Sequence, residues 1–230
     1  MKPLAVALLV LAACSAPPRH AATIPAPHVG AEERTAVLAD RAQLGPAPLL
    51  LLGDSITQAW ETDGARVFSA RLAPRQALGL GVGGDRTEHL LWRLQSGEYD
   101  ACPVRVAVVL IGTNNLGQGQ TPQQTADGVS AVLDDVLARW PDGRVVLLAI
   151  FPRSARPDDP LRLAVAQTNV LLRDVADRDR VTWLDFGDAF LTPDGTLPEA
   201  LMPDALHLSE AGYVIWADAM EPVLDDLLRP

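Results

Sequence analysis

Pro48-Leu49-Leu50-Leu51-Leu52-Gly53-Asp54-Ser55-Ile56-Thr57 is the stretch from which the fold is read. Four consecutive leucines between a proline and a glycine predict a short buried strand. The chain then turns through Gly53-Asp54-Ser55 into a segment expected to be helical from Ile56 to Trp60. A serine on such a turn sits at the carboxyl edge of a sheet, where open α/β sheets bind their ligands. Its hydroxyl serves as a nucleophile if a base comes within hydrogen-bond reach. The plainer role is N-cap of the following helix, which serine also favours. This stretch alone leaves both roles open.

Length and charge narrow the field. A chain of 230 residues predicts one domain, or a domain plus a tail. A net charge of -10 offers nothing to neutralise phosphates, so nucleic acid is excluded as a partner. The same acidity excludes a basic patch that docks on anionic lipid. No stretch is long and apolar enough to span a bilayer as a mature helix.

The N-terminus carries a different signal. Met1-Lys2 is a minimal positive start, Leu4 to Leu11 is a short apolar run, and Leu11-Ala12-Ala13-Cys14 closes it with small residues. That is the pattern of a secretory signal. Ending on Cys14, it resembles a bacterial lipoprotein lipobox, which implies cleavage before Cys14 and lipid on its sulfur. A plain signal cut nearby and a retained leader are the alternatives. Residues 1–14 are accordingly read as a lipoprotein-type signal peptide, 15–30 as an Ala/Pro-rich extended tether, and 31–230 as the folded domain. The protein is expected to be exported to a bacterial cell envelope, in the periplasm or on the outer membrane, touching the membrane only through its lipid. His20 and His28 fall in the tether and are poor candidates for buried chemistry. With Cys14 lipidated, Cys102 has no partner and is expected to be a buried small hydrophobe.

Along the domain, strands and helices alternate. A helix is predicted from Ala31 to about Leu44, and a second strand over Gln76 to Leu80. Gly79-Leu80-Gly81-Val82-Gly83-Gly84 fits G-x-G-x-x-G, so a dinucleotide site has to be weighed. That site needs an acidic residue at the end of the next strand, but Val104 to Ile111 ends in Gly112-Thr113-Asn114-Asn115. The glycines are read instead as letting backbone N–H groups approach something closely. Thr87 to Leu94 is expected to be helical. Ala126, Val129, Val132, Leu133, Val136, Leu137 and Trp140 recur at three and four, the apolar face of another helix. A strand over Arg144 to Phe151, a helix from about Leu161 to Ala176, a strand over Val181 to Leu184 and a helix from Ser209 to Leu228 complete the chain. The last helix stripes Tyr213, Ala217, Met220, Leu224 and Leu227. This order predicts an α/β fold: a three-layer α/β/α sandwich on a five-stranded parallel, doubly wound sheet.

Parallel strands put all their carboxyl ends on one edge. That edge offers Ser55, the glycines, Asn114 and, before the last helix, Met202-Pro203-Asp204-Ala205-Leu206-His207-Leu208. Neutral histidine is the usual base for a serine nucleophile. Outside the tether only His89 and His207 remain. His89 lies inside a predicted helix and is read as a packed or surface residue, whereas His207 sits in a polar turn. Asp204, three residues earlier, is placed to accept the Nδ1 proton and leave Nε2 facing Ser55. Asp185, at the end of the last strand, is the rival carboxylate, and Asp204 is preferred.

Gly53-Asp54-Ser55-Ile56, Gly84 before Asp85, Gly112-Thr113-Asn114 and Asp204-x-x-His207 resemble the four blocks of the SGNH, or GDSL, hydrolases, in family order over residues 48 to 215. Gly83 through Leu94, Phe151-Pro152-Arg153 and His207 through Tyr213 are further similar to the catalytic subunits of the intracellular platelet-activating-factor acetylhydrolase, a branch of that family. Gly79 departs from that branch, which often carries asparagine there. The resemblance implies a flavodoxin-like sheet and a serine esterase with Ser55 as nucleophile, His207 as base and Asp204 as its orienter. It also implies an oxyanion hole from the N–H groups of Ser55 and Gly84 and the side chain of Asn114. Neither cofactor nor metal is expected, since no His/Cys/Asp cluster has ligand spacing.

Ile56, Thr113 and Leu206 adjoin these blocks. If they wall the acyl pocket it is small, favouring acetyl esters, and export points to a small-molecule or glycan ester such as O-acetylated carbohydrate. The alternative for Ile56 and Leu206 is ordinary core. The alternatives for the activity are a lysophospholipase or thioesterase with longer acyl preference, and a glycan-binding lipoprotein without turnover.

Overall fold

The computed structural model describes residues 19–97, 99–100 and 102–229. The leader, Cys14 and residues 15–18 lie outside them. Strand β1 (Leu49–Gly53) is buried at every residue. It pairs with β2 (Ala77–Gly81) on one side and with β3 (Val106–Leu110) on the other, and β4 (Arg144–Leu148) and β5 (Val181–Leu184) extend the sheet beyond β3. Every pairing is parallel, and the order β2-β1-β3-β4-β5 is the flavodoxin-like one.

The leucine run works because successive side chains leave a strand on opposite faces. Leu50 and Leu52, with Ala107, Val109, Val145 and Leu147, pack under α1 (Glu32–Ala42), α4 (Thr87–Gln95), α6 (Pro122–Arg139) and α7 (Pro160–Val175). Leu49 and Leu51, with Val106, Val108, Val146 and Leu148, meet α2 (Ser55–Gln58), α3 (Ala65–Val67) and α8 (Glu210–Leu227). Each fully buried leucine side chain contributes roughly 1.5–3 kcal/mol. The α/β/α sandwich is therefore as expected, with boundaries shifted by a few residues. Of the α8 stripe, Tyr213, Ala217, Met220 and Leu224 are buried, Leu227 is partly so, and Trp216 joins them.

The geometry at the end of β1 requires glycine. A Cβ on Gly53 would lie 2.3 Å from the Leu110 carbonyl oxygen of β3 and 2.2 Å from Thr57 Oγ1. No side chain fits there without parting the strands. Below the turn, Trp60 packs on Tyr213 and Trp216 with ring centroids 4.5 and 4.9 Å apart. The Tyr213 hydroxyl donates to the Ile56 carbonyl at 2.6 Å, so the last helix holds the short helix that carries Ser55.

Two sequence expectations change, and one segment that had no reading takes form. The glycine run is largely strand: Gly79 and Gly81 belong to β2, and only Gly83 and Gly84 lie in the following turn. Between Trp60 and β2, where no periodicity could be read, the chain forms α3, a π-helical turn over Phe68–Leu72 and a 3-10 turn over Ala73–Arg75. The extended tether through residue 30 is corrected as well. Residues Ala21–Thr23 form a 3-10 turn with Ala22 fully buried. The Ala22 carbonyl accepts from Thr87 Oγ1 at 2.9 Å, Ala26 N–H donates to the Glu88 carbonyl at 3.1 Å, and His20 lies 3.1 Å from Asp127. A strap that satisfies its backbone on a neighbouring helix needs no apolar period of its own, which is why composition misread it.

Cys102 is buried, its thiol on the Ala42 carbonyl at 3.4 Å. Among the described residues no helix is long and apolar enough to cross a membrane. Replacing Tyr213 by Phe should lower stability by about 1–3 kcal/mol, because the buried Ile56 carbonyl loses its donor. Urea unfolding of the variant checks this, and an unchanged midpoint would mean the bond contributes nothing.

Candidate active site

In the order β2-β1-β3, the connections after β1 and β3 leave the sheet in opposite directions, which opens a crevice at their carboxyl ends. Ser55 follows β1 and Asn114 follows β3 in α5 (Thr113–Gly117). Asp54, rather than Ser55, caps α2: its Oδ1 accepts from Ile56 N–H at 3.0 Å. The Ser55 hydroxyl is thereby free of the capping role, and it lies 2.9 Å from His207 Nε2.

The loop before α8 is folded around Asp204. Its Oδ1 accepts from the N–H groups of Leu206 and His207 at 3.0 and 2.7 Å, and its Oδ2 lies 2.6 Å from His207 Nδ1. Ala205 takes up a left-handed φ of 58° to close this turn. The carboxylate accepts the Nδ1 proton, so Nε2 is left to accept from Ser55. Partial burial works against ionisation of Asp204, but the hydrogen bonds from the His207 ring and backbone hold its carboxyl below the usual range. Asp185, the rival, accepts from Gly187 N–H instead. The His207 and Asp204 side chains are 41 and 56 % exposed, so this pair operates in contact with water.

Gly84 adopts φ 78°, the left-handed region that favours glycine. Gly83 N–H donates to Gln58 Oε1 at 2.7 Å, and Asp85 N–H to the Val82 carbonyl at 3.1 Å. Among the described residues no acceptor meets the N–H of Gly84 or of Ser55. Asn114 Nδ2 donates to the Asp85 carbonyl at 2.9 Å and keeps a second hydrogen. Asn115 ties α5 to the start of α4 through Thr87 and Glu88.

A cleft of about 350 Å³ opens beside Ser55 and His207, lined further by Gln58, Ala59, Glu61, Thr62, Asp63 and Gly83. None of Ile56, Thr113 and Leu206 lines it. Ile56 is 2 % exposed within the core, Leu206 packs against that core, and the Thr113 hydroxyl is held by Arg153 at 3.2 Å. Ile56 thus takes the core position given above as its alternative. The start of the 152–160 loop braces the site: Arg153 holds Thr113, and Ser154 N–H donates to the Ala205 carbonyl at 2.8 Å.

One cluster of metal-type donors does form, contrary to expectation: His28, Asp85 and His89. Asp85 Oδ1 lies 2.8 Å from His28 Nδ1, Oδ2 accepts from Arg93 at 2.9 Å, and His89 Nδ1 accepts the Arg86 N–H at 3.2 Å. With these donors engaged and two guanidiniums beside them, the cluster is built as a hydrogen-bonded one. His28 therefore takes part in buried structure, against its assignment to a tether. His89 is 5 % exposed, as a packed histidine should be, and burial with the Arg86 guanidinium holds it below the usual imidazole range.

The pattern of the GDSL-like lipase/acylhydrolase family matches residues 51–215. The chain belongs to that family. Over 181 residues this acylhydrolase is 37 % identical to human platelet-activating factor acetylhydrolase IB subunit alpha1, covering 78 % of this chain and 76 % of the relative. It is 33 % identical over 182 residues to the rat alpha2 subunit, covering 79 and 77 %. Among solved structures it is similar to a GDSL-like lipase from Bacteroides thetaiotaomicron, with TM-score 0.71 and 15 % identity over 84 % of this chain and 98 % of that one. It is also similar to an acetylxylan esterase from Geobacillus stearothermophilus, with TM-score 0.60 and 19 % identity over 82 and 97 %. The resemblance read from the sequence blocks is borne out, and this GDSL acylhydrolase is a carboxylic ester hydrolase.

Sequence reasoning passed over Gln58, Asp85, Arg93 and Arg153, all of which hold the site's loops. Asp85 and Arg93 lay within the quoted block, but nothing in their spacing says that they meet. Asp54 has its own signature. Burial pushes its carboxyl up to about 7, with the nearby Asp85 adding to the rise, and among the described residues its Oδ2 has no partner. An unfolded aspartate titrates near 3.9. Between about 4 and 7 the folded protein binds a proton that the unfolded chain has lost, so stability falls as pH rises through this window. Asp54→Asn keeps a capping oxygen and should flatten that fall. Urea midpoints at about pH 5 and about pH 8 test it, and a slope equal to wild type would place the titration elsewhere.

Proposed function

We propose that this acylhydrolase cleaves short-acyl, chiefly acetyl, esters through an acyl-enzyme on Ser55. The observation that carries the reading is the hydrogen-bonded chain from Ser55 Oγ to His207 Nε2 to Asp204, at 2.9 and 2.6 Å. His207 takes the Ser55 proton as Oγ bonds to the ester carbonyl carbon, and Asp204 stabilises the imidazolium. The N–H groups of Ser55 and Gly84 and the Asn114 amide receive the oxyanion. Collapse of this intermediate breaks the bond to the alcohol oxygen, which takes the proton back from His207. Water, deprotonated by His207, then attacks the acyl carbon and releases the acid, restoring Ser55.

Acetyl preference is supported by what the relatives are named for, an acetylhydrolase and an acetylxylan esterase. The alcohol side is read from the cleft. Gln58, Thr62 and Asp63 offer partners to hydroxyl groups, while the charge of Glu61 is met by Arg34 at 2.6 Å and Arg41 at 2.7 Å. These walls suit an O-acetylated carbohydrate or other polar alcohol. The leader ending at Cys14 supports an exported, lipid-anchored enzyme that meets such esters at the cell envelope.

Hydrolysis of p-nitrophenyl esters from acetyl to dodecanoyl tests the reading. Turnover should fall sharply beyond butyryl, and a rise with chain length would replace it with a lysophospholipase or thioesterase. Ser55→Ala should lose roughly 10⁴- to 10⁶-fold in kcat, and retained turnover would remove Ser55 from the mechanism. Asn114→Ala should lose on the order of 10²- to 10³-fold in kcat with little change in KM. A loss confined to KM would make Asn114 a binding residue only.

A further inference from the structure

The turn Gly83-Gly84-Asp85-Arg86 carries one oxyanion donor and shapes a second, and the N-terminal strap reaches it. Asp85 has no exposed surface. Its N–H closes the turn on Val82 at 3.1 Å, and its carbonyl accepts one hydrogen of the Asn114 amide at 2.9 Å, which sets the direction of the other. The position of the Asp85 peptide therefore governs both the Gly84 N–H and the Asn114 amide.

The Asp85 carboxylate is held from two sides. Arg93 on α4 bonds Oδ2, with Nε at 2.9 Å, and also donates to the Gly53 carbonyl at the end of β1, at 3.3 Å. His28 Nδ1 lies 2.8 Å from Oδ1. A partner on one oxygen leaves a carboxylate free to turn about its Cβ–Cγ bond, whereas a partner on each oxygen locks it. The His28 ring also covers the turn: a Cβ on Gly84 would lie 3.1 Å from His28 Cε1. On its other side the ring stacks on His89, with centroids 4.4 Å apart and planes 18° from parallel. The strap that delivers His28 is fastened to α4 through Ala22 and Ala26.

We propose that His28 is a positioning residue for ester hydrolysis. It holds Asp85 and, through the Asp85 peptide, sets the Gly84 N–H and the Asn114 amide where the oxyanion forms. This role rests on the assignment of Gly84 and Asn114 as oxyanion donors. Donors aimed at charge that appears only in the transition state act on kcat rather than on KM.

The test is steady-state hydrolysis of p-nitrophenyl acetate by the full chain carrying His28→Ala, His28→Asn, His28→Phe, Asn114→Ala, or His28→Ala with Asn114→Ala, each checked for folding by thermal unfolding. His28→Ala should lower kcat roughly 10- to 100-fold with KM nearly unchanged. His28→Asn restores an N–H near the place of Nδ1 and should recover most of the loss. His28→Phe keeps the stacked ring without the N–H and should not, and this pair carries the test if His28→Ala fails to fold. On the Asn114→Ala background the His28 loss should shrink, because both changes act on one oxyanion. Wild-type kcat in His28→Ala or His28→Phe, an effect on KM alone, or full additivity would overturn the proposal. So would wild-type activity that requires added Zn²⁺ and vanishes in His28→Ala, which would make the cluster a metal site. If Asn114→Ala keeps full kcat, the oxyanion assignment itself fails. If only Asn114→Ala loses activity, that assignment stands and His28 is excluded.

Discussion

A parallel sheet buried on both faces can present chemistry only at its ends, and this constraint organises the molecule. The leucines of β1 divide between two helical layers, so no face of that strand is available to a ligand. The crossover at β1 and β3 then decides which ends matter, since only there do adjacent connections part. Ser55 and Asn114 follow those two strands, and the loop of Asp204 and His207 meets them from the start of α8. The tight fit of Gly53 against β3 and the hydrogen bond from Tyr213 to Ile56 set the height of Ser55 above that edge.

Two buried carboxyl groups sit just beneath the edge and are treated differently. Asp85 is met by Arg93, itself 1 % exposed, in an ion pair that also contacts Gly53 and Tyr99. Taking both charges out of water costs several kcal/mol per ion before their attraction is counted. That cost is tolerable where the pair also meets further hydrogen-bond partners, as here. Asp54 makes no ion pair among the described residues, and its carboxyl is pushed up to about 7 by burial. One acid thus acts as a charged tie between loops, and the other as a cap that is protonated through the acidic range.

The sequence was most legible where the signal was periodic or where family blocks fell at strand ends. The leucine run, the α6 and α8 stripes and the alternation of strands with helices led directly to the observed sandwich. Asp204 and His207 were readable because they lie three positions apart, so one local turn brings them together. Asp185 matched Asp204 in residue type and in its place on the edge but not in closeness to His207 along the chain, and in the fold it accepts from Gly187 N–H instead. The strap was misread because alanine and proline without periodicity look alike in a tether and in a segment laid over a helix. Two roles stayed open for Ile56 because adjacency to the nucleophile along the chain says nothing about the direction of its side chain, which packs in one core with the aromatic cluster of α8.

Local order in the chain, then, settled the class of fold, the family and the residues able to form a hydrogen-bonded Ser-His-Asp set. Those depend on periodicity, on turn chemistry and on short spacings, all of which are properties of neighbours in sequence. Tertiary structure alone decided that His28 meets Asp85, 57 positions further along the chain, that Arg93 ties β1 to the glycine turn, and that Asn114 rests on the Asp85 peptide. Such contacts join segments that share no period, and they are fixed by how the layers pack rather than by any pattern along the chain.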